Sequence, residues 1–269
     1  MSGGFLERTA MGFARAFTRA MESERIARQR GLLQLLDPRV RVIGMLWLVV
    51  SATLTRSISV VAGLFAVAVA LAICSRVSLL LLAKRVWLVV LGFTGVIALP
   101  AIFLTPGRVV AASGALWITE QGLRTAGLLV LRVETAVTLC ALLVLCTPWA
   151  SLLQALRALR LPREAIAMLA MTYRYVFLLV ETASQMFASR RSRRVGVLRG
   201  AEQRRMAART AGVLLSKSIE TSNQVYLAMQ SRGFRGEVET LSSFHMTMWD
   251  CVALLLFVVA GVLAAWMGR

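Results

Sequence analysis

Histidine is nearly missing from this chain: His245 is the only one in 269 residues. Cysteine is sparse as well, and Cys74, Cys140, Cys146 and Cys251 fall in or beside apolar segments with no Cys-x-x-Cys pair among them. Neither a zinc site nor a disulfide framework is expected from that spacing. The thiols read as small hydrophobes instead, and no metal ligand set or cofactor site is expected in this chain. There is no G-x-x-x-x-G-K-[ST] loop and no Gly-Lys pair, so nucleotide phosphates have no obvious cradle. An intramembrane enzyme built on Arg132, Glu134 and Cys140 or Cys146 is disfavoured, because no apolar segment offers a Ser-His, paired-aspartate or His-Glu-x-x-His arrangement. No catalytic residue is therefore assigned. Residues 1–36 hold no continuous apolar core, so no cleavable signal peptide is expected. Acidic residues are few, 13 against 31 Lys and Arg, which leaves a net charge of +18.

What is plentiful is grease. Apolar residues make up 58% of the chain, and the mean hydropathy is +0.72, values that fit an integral membrane protein and exclude an ordinary soluble domain. The positive charge sits beside the apolar runs instead of interleaving with aromatics on one face. Positive-inside topology explains that pattern and nucleic-acid binding does not.

Along the chain, residues 1–37 form a basic N-terminal segment. Phe13, Phe17 and Met21 are spaced four apart, as in an amphipathic helix lying on a membrane surface, with a solvated or disordered tail as the alternative. Asp37-Pro38 marks a turn. Residues 38–147 hold four expected spans: Val42 to Leu54, Ile58 to Cys74 after the Arg56-Ser57 break, Val86 to Thr105 with a kink at Pro100, and Gly122 to Cys146. Arg76, Lys84 and Arg85 place one loop in the cytoplasm, and the charge-poor loop Pro106 to Glu120 belongs outside. Arg132 and Glu134 lie within the fourth span, where each ionisable group costs roughly 2.5 to 3.5 kcal/mol and needs a partner or a wet cavity. Being two apart they point to different sides of the helix, so at least one is expected to face another helix or subunit. Trp249 to Met267 supplies a fifth span within residues 241–269. The N-terminus is expected to be cytoplasmic.

Residues 148–240 differ in character. From Arg157 to Arg235 there are fifteen basic and four acidic residues, a net of +11, which assigns the block to the cytoplasm. Glu164 to Arg190 reads as one long helix, with Arg174 and Glu181 seven apart and so on one side. Ala201 to Gln230 reads as a second, carrying a stripe of small and apolar residues that includes Ser218, Ser222, Val225 and Met229. Such a stripe lets two helices cross closely. Each helix finishes in a triplet, Ser189-Arg190-Arg191 and Ser231-Arg232-Gly233. A lone arginine there is worth about 0.3 to 1 kcal/mol against the helix dipole, and Gly233 also suits a left-handed helix cap. Duplication of the triplet instead suggests paired contacts with another component. The expected fold is all-α, a polytopic membrane protein with about five transmembrane helices and a cytoplasmic pair of crossed helices.

These residues resemble the transmembrane component of energy-coupling factor transporters, of the CbiQ type that serves cobalt and nickel uptake. The resemblance rests on Gly122-Leu123 with Arg132, Thr147-Pro148, Leu152 to Arg157, Leu161-Pro162, Thr172 to Phe177 with Glu181, and the two arginine triplets, in that order over about residues 120–236. It implies a non-catalytic permease subunit in the cell's inner membrane. Its crossed coupling helices would end in arginines, Arg190 and Arg232, that dock on a CbiO-type ATPase dimer. Both triplets begin with serine where the family has alanine, and the basic run after the first leaves Arg191 as an alternative to Arg190. The resemblance also implies a CbiM-type capture subunit that holds the metal, and a small CbiN-like protein. Service to a vitamin capture subunit is the alternative.

Overall fold

The computed structural model describes residue 27 and residues 31–104, 109–113, 116–193, 200–234 and 247–268. The amphipathic segment 5–21, Arg108 and His245 lie outside them. Chain contacts divide the molecule into two compact units: a bundle of residues 24–155 and 244–269, and an arm of residues 1–23 and 156–243.

The bundle opens with a single turn, α1 (Leu32–Leu35), and then α2 (Pro38–Leu54). Asp37 caps α2 by accepting the Arg39 amide at 2.9 Å, and Pro38 occupies the first helical position, where its missing N–H costs nothing. Thr55-Arg56-Ser57 separates α2 from α3 (Ile58–Cys74). A single turn, α4 (Leu79–Leu82), a π-helical turn (Ala83–Trp87) and α5 (Leu88–Leu104) follow almost without a break, with Pro100 inside α5. The cytoplasmic loop expected around Lys84 and Arg85 is therefore shorter than the charges suggest, because both residues ride on a helical turn. The segment expected as a plain loop holds a short antiparallel pair, β1 (Val109–Ser113) and β2 (Leu116–Thr119), with an irregularity between Val109 and Ala111. Thr119 accepts the Gly122 amide and so starts the longest bundle helix, α6 (Glu120–Cys146). The last helix, α10 (Met248–Met267), begins with a reciprocal capping box between Thr247 and Asp250.

Helix α6 lies against α2, α3 and α5, and α10 lies along α2. The core joins Met45, Leu48 and Ala52 of α2 to Leu64, Ala68 and Ala72 of α3, with Leu139 and Leu142 of α6 and Phe257 of α10. The α2–α10 crossing is close because Gly44 faces the Phe257 ring and Gly261 faces Trp47 and Ser51. Trp47 adds a bond from its indole N–H to the Val258 carbonyl at 3.3 Å, and the Arg56 amide reaches the Gly268 carbonyl at 2.9 Å.

The arm consists of α7 (Trp149–Ala158), which begins in the bundle and ends in the arm, then α8 (Arg163–Ser192) and α9 (Gly200–Ser231). The long pair matches the expected helices to within two residues at each end. By length and composition α6, α8 and α10 are each able to cross a membrane, and α3 and most of α5 are shorter apolar helices. The molecule is thus an all-α membrane protein in its architecture, apart from the short hairpin.

Candidate coupling site

Helices α8 and α9 run antiparallel. Near one end of the pair the Arg190 guanidinium of α8 donates to the Met206 carbonyl of α9 at 3.4 Å. Further along, Met171, Tyr175 and Leu179 of α8 line a groove of about 580 Å³ with Ser218, Ser222 and Met229 of α9. Four residues of the small-residue stripe, Ser218, Ser222, Val225 and Met229, lie in that groove. Phe234 and Glu164 close its far end. The two triplets therefore stand at opposite ends of the pair, separated by roughly 40 Å at about 1.5 Å per residue.

Each triplet sits where its helix stops. Ser189 is exposed and bonds the Met186 carbonyl within its own helix at 3.1 Å, Arg190 is half-buried against α9, and Arg191 continues α8. Ser231 closes α9, its hydroxyl on the Ala228 carbonyl at 3.0 Å. Gly233 takes φ +81°, and the Gly233 and Phe234 amides return to the Gln230 and Met229 carbonyls at 3.0 Å each. This pattern is a Schellman cap, which leaves the Arg232 side chain exposed at the helix end. Glycine's place in the second triplet thus has a local reason: a β-carbon is disfavoured in that left-handed conformation. Elsewhere on α8, Arg174 and Glu181 are both exposed, and Glu181 accepts the Gln185 amide at 3.4 Å.

In the bundle, Arg132 and Glu134 do point apart. The Arg132 guanidinium donates to the Thr55 carbonyl, the C-cap of α2, at 2.7 Å, so its partner is a neighbouring helix end and not a carboxylate. Glu134 is only 6% exposed, and neither carboxylate oxygen has a hydrogen-bond partner among the described residues. Sequence reasoning missed a more deeply buried charge. Arg41 is 2% exposed, deeper than either. With Arg39 beside it at the start of a span, it reads as one more positive-inside residue. The available signal was its position three residues inside the apolar helix that Pro38 starts.

A helical bundle with span-length apolar helices, followed by a long helix pair, defines an integral membrane protein. The chain matches the CbiQ family, described as cobalt transport protein, over residues 29–243. It is 33% identical over 239 residues to an uncharacterized protein of Methanocaldococcus jannaschii, covering 87% of this chain and 82% of that one. It is also similar to the cobalt transport protein CbiQ of Rhodobacter capsulatus, 32% identical over 180 residues, or 64% of this chain and 72% of that protein. The chain belongs to the CbiQ family of cobalt transport proteins.

Proposed function

We propose that this chain is the energy-coupling transmembrane subunit of an energy-coupling-factor importer for cobalt or nickel ions. It is non-catalytic: a CbiO-type ATPase dimer hydrolyses ATP, and the arm passes the resulting movement to a CbiM-type capture subunit, with a CbiN-like protein as a further partner. The observation that carries this reading is the pair of arginine-bearing helix ends at opposite ends of the antiparallel α8–α9 pair. Two separated tips suit two copies of one ATPase subunit. Docking falls to Ser189, Arg190 and Arg191 on one end and to Ser231, Arg232 and Gly233 on the other.

The net charge of +11 between Arg157 and Arg235 favours a cytoplasmic arm in the inner membrane of the cell. Helix α8 is the least apolar of the three span-length helices, and its apolar side chains, Met168, Val176 and Leu178 among them, are exposed. A large exposed apolar surface calls for a partner. A membrane-embedded capture subunit resting on α8 and the groove beside it would supply one.

Charge reversal tests the docking. Arg190→Glu, Arg191→Glu and Arg232→Glu are made singly and together in the chain co-expressed with ATPase and capture subunits. An arginine buried against partner carboxylates costs on the order of 3 to 5 kcal/mol when lost, so the ATPase should no longer co-purify. A solvated arginine costs about 0 to 1 kcal/mol. Wild-type uptake in the triple variant would eliminate the reading. Metal analysis of the purified complex then decides between cobalt and nickel.

A further inference from the structure

Two of the stretches of chain that connect bundle to arm are held at one buried cluster. The first starts inside the bundle, at the end of α6, and runs through α7 to the bundle's boundary at Ala155–Leu156. At its start Thr147 is extended at φ −118° and Pro148 has no amide hydrogen, so the helix stops and α7 begins one residue later. The Arg41 guanidinium grips this break. One nitrogen, Nη1, donates to the Cys146 carbonyl and, at 3.1 Å, to the Thr147 hydroxyl. The other terminal nitrogen, Nη2, donates to the Leu36 carbonyl at 2.7 Å. A planar guanidinium holds three acceptors in fixed directions, which a lysine ammonium on a flexible stem does not reproduce.

In the second stretch, Thr247 begins the last bundle helix. Asp250 holds it, one carboxylate oxygen accepting the Thr247 amide at 2.9 Å. The other oxygen accepts the Asp37 amide at 2.7 Å. Asp37 caps the same helix that carries Arg41. Arg41, Asp37, Thr147 and Asp250 are all at most 7% exposed. The N-terminal turn of α2 is thereby fastened to the outgoing chain at Cys146–Thr147 and to the incoming chain at Thr247–Asp250.

The geometry points to the Arg41–Asp250 cluster as the joint that transmits arm movement into the bundle. This inference rests on the coupling function proposed above. Buried, charge-assisted bonds are short and directional, and packed elements held by them move as bodies instead of bending continuously. A pull on either stretch then reaches α2 directly, and through α2 the α6 and α10 helices that pack on it. Arg41 and Asp250 are positioning residues: their role is to keep the two connections in register.

The test uses the full chain in nanodiscs, first alone and then assembled with CbiO-type ATPase and CbiM-type capture subunits. The variants are Arg41→Met, Arg41→Lys, Asp250→Asn and Thr147→Val. In the assembled complex, Arg41→Met should retain ATPase at wild-type stoichiometry and continue to hydrolyse ATP, while cobalt uptake per ATP falls about tenfold, within the usual range of coupling free energies. Arg41→Lys and Asp250→Asn should fall between. In the chain alone, the distance distribution between spin labels at Leu159 and Val262, introduced as non-natural side chains, should broaden in the same order. A wild-type uptake-to-hydrolysis ratio in Arg41→Met, or an unbroadened distribution, overturns the joint. If Arg41→Met does not fold, Thr147→Val removes a single contact, and an unchanged ratio with an unchanged distribution in that variant has the same force. Failure of the wild-type chain to retain any ATPase strikes the proposed function instead, and the label distances of the isolated chain still decide on the joint.

Discussion

Bundle and arm use the same building material in opposite ways. In the bundle, the α2–α10 crossing is closed at Gly44 and Gly261, and buried polar side chains such as Arg41, Asp37 and Asp250 are spent on holding helix ends together. In the arm, two helices of 30 and 32 residues meet along a groove, with many large apolar side chains exposed. Among the described residues only Ala183 and Thr210 of α8 and α9 are buried. Under the coupling function proposed above, the difference teaches that the bundle is finished within one chain, whereas the arm is half of an interface. A bundle helix faces lipid or its neighbours. An arm helix that is cytoplasmic, as proposed, has neither lipid nor a core to cover it, so its apolar surface is kept for a partner.

Glycine substitutions sharpen that contrast most strongly in the bundle. A β-carbon at Gly261 would run into the Trp47 indole and the Ser51 hydroxyl, and one at Gly44 into the Phe257 ring. Overpacking of this kind costs typically 1 to 3 kcal/mol, so about that loss is expected for Gly261→Ala, with Gly261→Leu at the upper end or beyond. Thermal unfolding in detergent measures it. An unchanged midpoint in Gly261→Leu would show that the α2–α10 crossing is looser than described.

Glu134 offers a test with the opposite sign. Its buried carboxylate has no hydrogen-bond partner among the described residues, and an unsatisfied buried polar group costs about 1 to 3 kcal/mol. Glu134→Leu should therefore stabilise the bundle by about 1 to 2 kcal/mol in the same unfolding assay. If uptake falls while stability rises, the carboxylate is retained for function at the expense of stability. A destabilised variant would mean that Glu134 has a partner in the folded bundle. The next effect, of similar size, belongs to the arm. Gly233→Ala forces a side chain into φ +81°, at a cost of about 1 to 2 kcal/mol to the cap of α9. Faster amide exchange in the last turn of α9, with bundle exchange unchanged, is the expected result.

The sequence showed the arm more clearly than the bundle, for a physical reason. Helices α8 and α9 are long and regular, their triplets mark their ends, and the stripe through Ser218, Ser222, Val225 and Met229 repeats at helical spacing, so local periodicity was enough to find the groove face. The break at Arg56-Ser57 likewise separated α2 from α3 because charge at a span end is a local signal. What stayed hidden was non-local. Arg41 meets two of its three acceptors 105 and 106 residues later, and the Asp37 amide meets Asp250 across 213 residues. Lys84 and Arg85 suggested loop where the chain is helical, because the positive charge that marks an expected cytoplasmic end does not say whether the backbone there is coiled. The strands at Val109–Ser113 and Leu116–Thr119 were passed over because scarcity of charge, not alternation, had been used to place that segment.

The smallest expected effect is the most direct check on the arm's openness. Gly212 lies in the middle of α9, exposed, with no atom near the position a β-carbon would take. Mid-helix glycine costs roughly 0.5 to 1 kcal/mol relative to alanine through backbone entropy alone. Gly212→Ala should therefore slow amide exchange along α9 by that amount in the isolated chain, the reverse of Gly261→Ala in the bundle. Repeated in the assembled complex, the same substitution separates two kinds of exposed surface. If Gly212 faces solvent there too, ATPase co-purification and uptake stay at wild-type levels. If a partner closes on that stretch of α9, the added methyl lowers assembly even as it steadies the helix, and the position of Gly212 then marks one edge of the covered face.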